Sequence, residues 1–231
     1  YLPHIREIYS NSHKLLDLID KIIYLSKFES GNIELKPDYH NMVSLMDIIE
    51  TKFASRAETK NLQFTVECHS ADKYFIDIDL LTRVLSEVVD NAIKFTASGS
   101  VLVSCTNKPT EGDMTDIIFN INDTGVGIAP EFHEAAFESF YRLTSDDNDV
   151  YYGTGLGLAL SRNIVKLLGA TLKLDSQLGE GCKIQITLPG VKYNVVEELS
   201  YVSLTFSKDD LKAINQSILP LIEDLQLGFS R

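Results

Sequence analysis

From Ile5 to Phe28 the apolar residues recur at helical spacing: Ile5, Ile8, Leu15, Ile19 and Ile22 form one stripe, widened by Leu16 and Ile23. The pattern predicts a bundle helix. A lone amphipathic helix cannot bury such a stripe, so a second helix or another subunit must supply the opposite wall. The chain is therefore expected to begin in mid-domain. Ser30-Gly31-Asn32 supplies the stop, with Gly31 suited to the left-handed conformation past a helix end.

Beyond that stop strand-like and helix-like patterns alternate. The spacing predicts a short strand over 33–35, a helix over 43–58, and strands over 62–68 and 74–78. A strongly apolar helical stretch follows, carrying Leu80, Leu81, Val84, Leu85, Val88 and Val89, with Glu87 and Asn91 late in it. Strands over 100–106 and 115–122 are joined as a hairpin by 109–113. A short helix near 131–140, a glycine-led helix over 158–168, and paired strands over 171–175 and 183–188 complete the domain. The fold class expected is α+β: a two-layer α/β sandwich with a mixed, mostly antiparallel sheet covered by helices on one face, preceded by one long bundle helix. After Pro189-Gly190 the pattern changes again. Leu211, Ile214, Ile218, Leu221, Ile222 and Leu225 return to helical spacing, which Pro220 should bend or end. Three segments result: 1–31, 32–190, and a tail over 191–231 that reads as a linker with a docking helix or the start of another domain.

With 44% apolar residues among 231, the chain has the composition of an ordinary globular protein. Its net charge of −12 argues against a nucleic-acid partner, since phosphate backbones are met by basic surfaces. Cys68, Cys105 and Cys182 are odd in number and lack a metal spacing, so they read as reduced, mostly buried thiols suited to the cytosol. No apolar run approaches a membrane span, and Tyr1 opens directly into a polar helical pattern. Direct membrane contact is not expected of these residues.

Neither the Walker loop nor the dinucleotide fingerprint occurs. A different phosphate cradle is available at Gly153, Thr154, Gly155, Leu156 and Gly157, where alternating glycines precede a helix whose N-terminal N–H groups point at an anion. The polar stretch over 144–152 just before it suits a lid that orders around a ligand. Asp123 follows an apolar strand and precedes Gly125 and Gly127, which places its carboxylate at the floor of a cleft. A purine amino group is a fitting donor for it. Glu87 and Asn91 are four apart on one helical face, and their hard oxygens suit Mg²⁺. Lys94 is placed to meet phosphate oxygens as a point charge, and Arg142 to stabilise charge on a transferring phosphoryl group. Each residue also has an ordinary reading: Glu87 as a solvated helix residue, Asp123 as a turn former, Lys94 and Arg142 as exposed charges, the glycines as a simple loop. Their joint occurrence in one order favours the pocket.

These segments resemble the N, G1, F and G2 boxes of the histidine-kinase catalytic domain, in the wider superfamily of gyrase, chaperone and mismatch-repair ATPases. Asp90-Asn-Ala-Ile-Lys-Phe-Thr96 is similar to the N box, Asp123-Thr-Gly-Val-Gly-Ile128 to the G1 box, 137–143 to the F box, and Gly153-Thr-Gly-Leu-Gly-Leu158 to the G2 box. Gly179-Glu-Gly-Cys182 resembles the final glycine motif. Leu15-Leu-Asp-Leu-Ile-Asp20 and Leu25-Ser-Lys-Phe-Glu-Ser-Gly31 look like the second helix of the family's dimerisation and phosphotransfer domain and its junction. The resemblance implies that Asp123 binds the adenine amino group, Asn91 holds Mg²⁺, Lys94 and Arg142 contact phosphates, and Gly153 to Gly157 belong to the ATP lid. It further implies Mg·ATP as cofactor and substrate, a homodimer formed through the first helix, a response-regulator receiver domain as partner, and a cytoplasmic place within a larger sensor.

Three departures qualify the match. The family's phosphoacceptor box is absent, and His4, His13, His40, His69 and His133 all lack its context. Glu87 stands where many sensor kinases carry Asn or His, and it matches the general-base Glu of the gyrase-like ATPases. Cys182 replaces the usual Ser or Thr, which is expected to weaken one peripheral contact. The leading expectation is transfer of the ATP γ-phosphoryl group to a histidine outside this chain. The alternatives are an ATPase using Glu87 as its base, and a degenerate docking module without activity.

Overall fold

The computed structural model describes residues 2–68, 70, 72–110, 112–142 and 154–194. Its elements are α1 (Leu2–Glu29), β1 (Asp38–Asn41), α2 (Met42–Thr59), β2 (Gln63–Cys68), β3 (Lys73–Ile76), α3 (Ile78–Phe95), β4 (Ser100–Pro109), β5 (Met114–Asp123), α4 (Gly157–Leu167), β6 (Thr171–Gln177) and β7 (Gly181–Asn194). The strands form one seven-stranded sheet in the order β1-β3-β7-β5-β4-β2, with β6 beside the first half of β7. Among the described strands only β2 and β4 pair in parallel; the other pairs are antiparallel. The sandwich is therefore mixed and mostly antiparallel, as the alternation of the strands predicts.

Period-two alternation sorts the sheet into two faces. Val101, Val103, Ile117, Phe119, Ile121, Ile184 and Ile186 are buried on the side that packs against the inner faces of α2, α3 and α4. On the opposite side Ser104, Asn120 and Gln185 stand in register, and the Gln185 Nε2 donates to Asn120 Oδ1 at 2.9 Å.

Helix α3, which carries Glu87 and Asn91, is fixed at both ends. Asp77 caps its start, accepting from the Leu80 N–H at 3.1 Å and from the Lys36 N–H at 2.8 Å. At the other end Lys60 Nζ donates to the carbonyls of Ile93, Lys94 and Thr96 at 2.7, 2.9 and 2.9 Å, groups that a helix terminus leaves without partners. Lys52 and Arg56 on α2 and Lys60 at its C-cap stand one turn apart and meet Ser86, Asp90 and these carbonyls in turn, so α2 and α3 run side by side in one direction. Lys60→Met should lower the unfolding free energy by about 1–2 kcal/mol through the lost hydrogen bonds, read from a urea transition. An unchanged midpoint would mean that water serves the carbonyls equally well.

Four expectations need correction. The strand expected over 33–35 does not form: the Lys36 N–H is spent on Asp77, Pro37 follows, and Asp38–Asn41 takes the edge of β3 instead. The helix expected over 131–140 is reduced to two single 3₁₀ turns, Pro130–Phe132 and Ala135–Phe137, neither with a buried residue to hold a longer helix. Phe140 ends the segment at φ 66°. The strand expected to stop at 188 continues to Asn194 through Pro189-Gly190, because β5 shifts register between Thr115 and Ile117 and the Asp116 Oδ1 accepts the Gly190 N–H at 2.9 Å. Residues 191–194 thus belong to the sheet rather than to a linker. The described residues between Leu2 and Asn194 fall in one compact unit that includes α1. The helical spacing over 208–225 lies outside the described residues.

Helix α1 stops as its sequence predicts. Gly31 has φ 67°, and the Asn32 N–H reaches back to the Lys27 carbonyl at 3.0 Å. Ile5, Ile8, Tyr9, Leu15 and Leu16 are all more than half exposed, so the stripe has no wall within this chain's described residues.

Candidate functional site

Strand β5 delivers Asp123 to the edge of the sheet, and the turn after it is gripped from two sides. The Val126 N–H donates to the Phe95 carbonyl at the end of α3 (3.2 Å), and the Gly179 N–H donates to the Val126 carbonyl from the β6–β7 turn (2.7 Å). There is no space for side chains in this grip: a Cβ on Gly125 would lie 2.5 Å from the Phe95 carbonyl oxygen, and one on Gly127 would lie 1.9 Å from that of Gln177. Ser176 ties the strands together below, its Oγ accepting from the Ile128 N–H and donating to the Gly181 carbonyl. His133 adds to this frame, its Nε2 lying 3.1 Å from the carbonyls of both Ile128 and Ser176, which sets it as a donor.

The Asp123 carboxylate is oriented by backbone. Its Oδ1 accepts from the Gly125 N–H at 2.9 Å and from the Cys182 N–H at 3.2 Å. Both bonds fall on Oδ1, which leaves Oδ2 as the acceptor for a ligand's donor. Burial pushes the carboxyl above its usual proton affinity, and the two N–H groups oppose that shift. The Cys182 contact runs through its backbone, so the exchange of Ser or Thr for Cys leaves this bond in place. Burial likewise pushes the Cys182 thiol up to about 11.

On α3, Glu87 and Asn91 face the first residue of α4. A Cβ on Gly157 would stand 2.6 Å from Glu87 Oε2 and 3.7 Å from Asn91 Nδ2, so glycine is what lets the α4 N-terminus approach both. The Glu87 side chain is only 13% exposed and ion-pairs with Lys21 of α1 at 2.8 Å. It is not the solvated helix residue of the ordinary reading. Burial raises the proton affinity of Glu87 and Lys21 opposes it; the lysine in turn is kept protonated by Glu87 and Asp17 against the effect of burial. Lys94 is half-buried, its Nζ 4.5 Å from the Phe95 ring centroid. Burial lowers its proton affinity, Asp90 opposes this, and Arg142 and Lys21 add to it. Arg142 and Lys21 are thus near enough to act electrostatically on Lys94, with Asp90 opposing them.

The F-box and G2-box segments meet through the backbone. The Phe140 N–H donates to the Gly155 carbonyl at 2.9 Å, and Gly155 has φ 69° with no room for a Cβ beside Tyr141 and Phe140. Thr154 Oγ1 accepts from the Leu156 N–H at 3.3 Å, and Leu156 is fully buried beneath the loop. Arg142 stands exposed next to this junction. Gly153 and the lid expected over 144–152 lie outside the described residues.

A divalent metal suits these donors. Glu87 and Asn91 offer two hard oxygen ligands, the number Mg²⁺ takes from protein when phosphates and water complete its shell. Among the described residues no group of three or more His, Cys, Asp or Glu could hold a metal ion. Sequence reasoning missed Lys21. Its only local signal, the spacing of four from Asp17, is that of an ordinary surface pair.

The Histidine kinase-, DNA gyrase B-, and HSP90-like ATPase family profile matches residues 76–192. Histidine protein kinase 1 of Candida albicans is 29% identical over 209 residues, covering 88% of this chain and 8% of that protein. The virulence sensor protein BvgS of Bordetella bronchiseptica is 32% identical over 187 residues, covering 80% of this chain and 15% of its own length. The chain therefore spans a small part of these relatives. The crystal structure of full-length ShkA in complex with AMPPNP superposes with a TM-score of 0.70 at 24% identity, over 82% of this chain and 39% of that one, which shows a shared fold. No described helix is long and apolar enough to cross a membrane. With the family profile running from the end of β3 to β7 and relatives named as a histidine protein kinase and a sensor protein, the chain belongs to the histidine kinase-, DNA gyrase B- and HSP90-like ATPase family, as an ATP-binding catalytic domain of the histidine-kinase type.

Proposed function

We propose that this chain binds Mg·ATP and passes the γ-phosphoryl group to a histidine outside the chain, as the catalytic portion of a sensor histidine kinase that relays phosphate to a response-regulator receiver domain. Helix α1 is then the second helix of a dimerisation and phosphotransfer domain, and its exposed Ile5, Ile8, Leu15 and Leu16 are the face that a homodimer bundle covers. The observation that carries the reading is the seat of Asp123: one oxygen locked by two backbone N–H groups, the other left for the exocyclic amino group of adenine.

The remaining residues divide the phosphate end among them. Asn91 and Glu87 hold the metal, Lys94 and Arg142 neutralise the phosphate oxygens, and the backbone over 153–157 cradles them at the start of α4. Mg²⁺, when bound, would supply neutralisation of phosphate charge. What the chain contributes is position and electrostatics, since phosphoryl transfer leaves little covalent chemistry to the protein. Among the described histidines, His133 is committed to two backbone carbonyls, and none of the five has the sequence context of the family's phosphoacceptor.

Calorimetric titration with Mg·AMPPNP should give saturable binding of one equivalent, and incubation with ATP should leave no acid-labile phosphate on the chain. Stable phosphate on His4 or His13 would overturn the assignment of an outside acceptor. A second reading, hydrolysis with Glu87 as base, has the buried Glu87 in its favour, but the Lys21 ammonium occupies the oxygen such a base would use. Hydrolysis that disappears in Glu87→Gln with nucleotide affinity retained would select it. Absence of any nucleotide binding would leave only a docking module.

A further inference from the structure

Helix α1 is exposed along most of its length, and Lys21 is the one buried residue among its described side chains. Its ammonium lies 2.8 Å from Glu87 Oε2 and 2.9 Å from Asp17 Oδ2. One turn further along α1, Tyr24 lies under the Arg83 guanidinium, 4.0 Å from ring centroid to Cζ, and Leu25 packs on the core. Arg83 stands one turn before Glu87 on α3, so the end of α1 is seated on α3 by Lys21 on Glu87 and Tyr24 on Arg83.

Burying an ammonium is costly unless a carboxylate compensates it. Asp17, on the same helix and 59% exposed, already provides a partner near the surface. The second partner is the carboxylate that faces Asn91 and the α4 N-terminus, where a Cβ on Gly157 would stand 2.6 Å from Oε2. A cation delivered by a phosphate group would approach this same oxygen, and two cations on one carboxylate oxygen repel at close range in a weakly screened site.

We infer that Lys21 is a resident cation of the nucleotide site: with α1 seated, its ammonium takes the Glu87 oxygen that the metal of a metal–nucleotide complex requires, so seating of α1 and binding of the metal–nucleotide compete. The inference rests on the reading of Glu87 and Asn91 as the metal side of an ATP site. Asp17 makes the exchange feasible, because the ammonium that leaves Glu87 keeps a partner one turn away on its own helix. Nucleotide without metal presents no competing cation and should leave α1 in place.

The test uses the 231-residue chain at pH 8 with AMPPNP in Mg²⁺ or in EDTA. Hydrogen exchange of the backbone amides over 17–29 should accelerate with Mg·AMPPNP and stay unchanged with AMPPNP and EDTA. By calorimetry, Lys21→Met should bind Mg·AMPPNP about tenfold more tightly, the scale of one charge-assisted hydrogen bond. Its affinity for metal-free AMPPNP should stay within about twofold of the parent, there being no second cation to displace. Asp17→Asn should move Mg·AMPPNP affinity the opposite way, because the displaced ammonium then has no fallback partner. Since α1 lies outside the sandwich core, both variants keep the fold, checked by their thermal transitions. Unchanged affinity in Lys21→Met would reduce the pair to a structural tie, and weakened affinity would make Lys21 a phosphate contact; either overturns the inference. Failure of the parent chain to bind AMPPNP in any form would instead overturn the ATP reading, and the parent titration alone reveals it.

Discussion

Asp123→Asn should bind Mg·ATP at least about 100-fold more weakly than the parent chain, because a buried site built to accept one hydrogen bond rejects a ligand strongly when its acceptor is lost. The substitution spares the scaffold. An amide oxygen at the Oδ1 position still accepts the Gly125 and Cys182 N–H groups, which hold the turn to the start of β7. The change falls on the second oxygen, where an NH₂ would oppose the adenine amino group, donor against donor. Titration calorimetry measures the loss and a thermal transition checks the fold; near-parental affinity would remove Asp123 from the adenine site. Acidification should weaken binding by the same route, since a protonated carboxyl is a poor acceptor. The linkage to stability runs the other way. Burial raises the Asp123 carboxyl in the folded chain, so its contribution to stability is full below the ordinary aspartate range and is lost as pH rises through the raised value.

The second large effect concerns Gly181. Gly181→Ala should destabilise the domain by more than about 4 kcal/mol, in the range reserved for severe steric failures. Gly179→Ala, two residues earlier, should cost only about 1–2 kcal/mol. Both glycines have left-handed backbones, at φ 82° and 84°, so the conformational penalty is common to them. They differ in space. A Cβ on Gly179 meets nothing within 4 Å, whereas one on Gly181 would stand 1.9 Å from the Asp123 carbonyl oxygen. Relieving that contact means parting the end of β5 from the start of β7, which drags Asp123 from its seat. Urea transitions of the two variants, with nucleotide titrations beside them, separate the terms. Equal destabilisation would show that the backbone penalty alone matters and that the junction yields without cost.

Local pattern reads well where a segment's own periodicity decides its state. Helix α3 is such a case: its apolar positions and the spacing of Glu87 from Asn91 are written within one stretch, whereas the strand expected over 74–78 ends at Ile76 and Asp77 caps the helix instead. The glycine-led helix and the Asp123 turn are equally local, and a resemblance in four short boxes was enough to suggest the fold. Pattern misleads where a neighbour decides. The alternation at 33–35 looks like a strand, but a strand needs a free edge, and β1 has taken it. Pro189-Gly190 looks like an end, yet a bulge in β7, where both residues stand opposite Asp116, and the Asp116 carboxylate accommodate them.

The same division runs through the candidate site. Composition, order and spacing alone determine that the carboxylate, amide and glycines of the proposed nucleotide pocket are present, because each box is a short run whose geometry its own residues impose. Which side chain meets which is decided only by tertiary structure. Lys21 reaches Glu87 from 66 positions away, Lys60 closes the end of α3 from another helix, and Cys182 holds Asp123 with a backbone N–H that any residue type would supply. Such contacts leave no periodic trace, since a charge on a helix is equally compatible with water, and burial turns it into a specific partner only once the elements have packed.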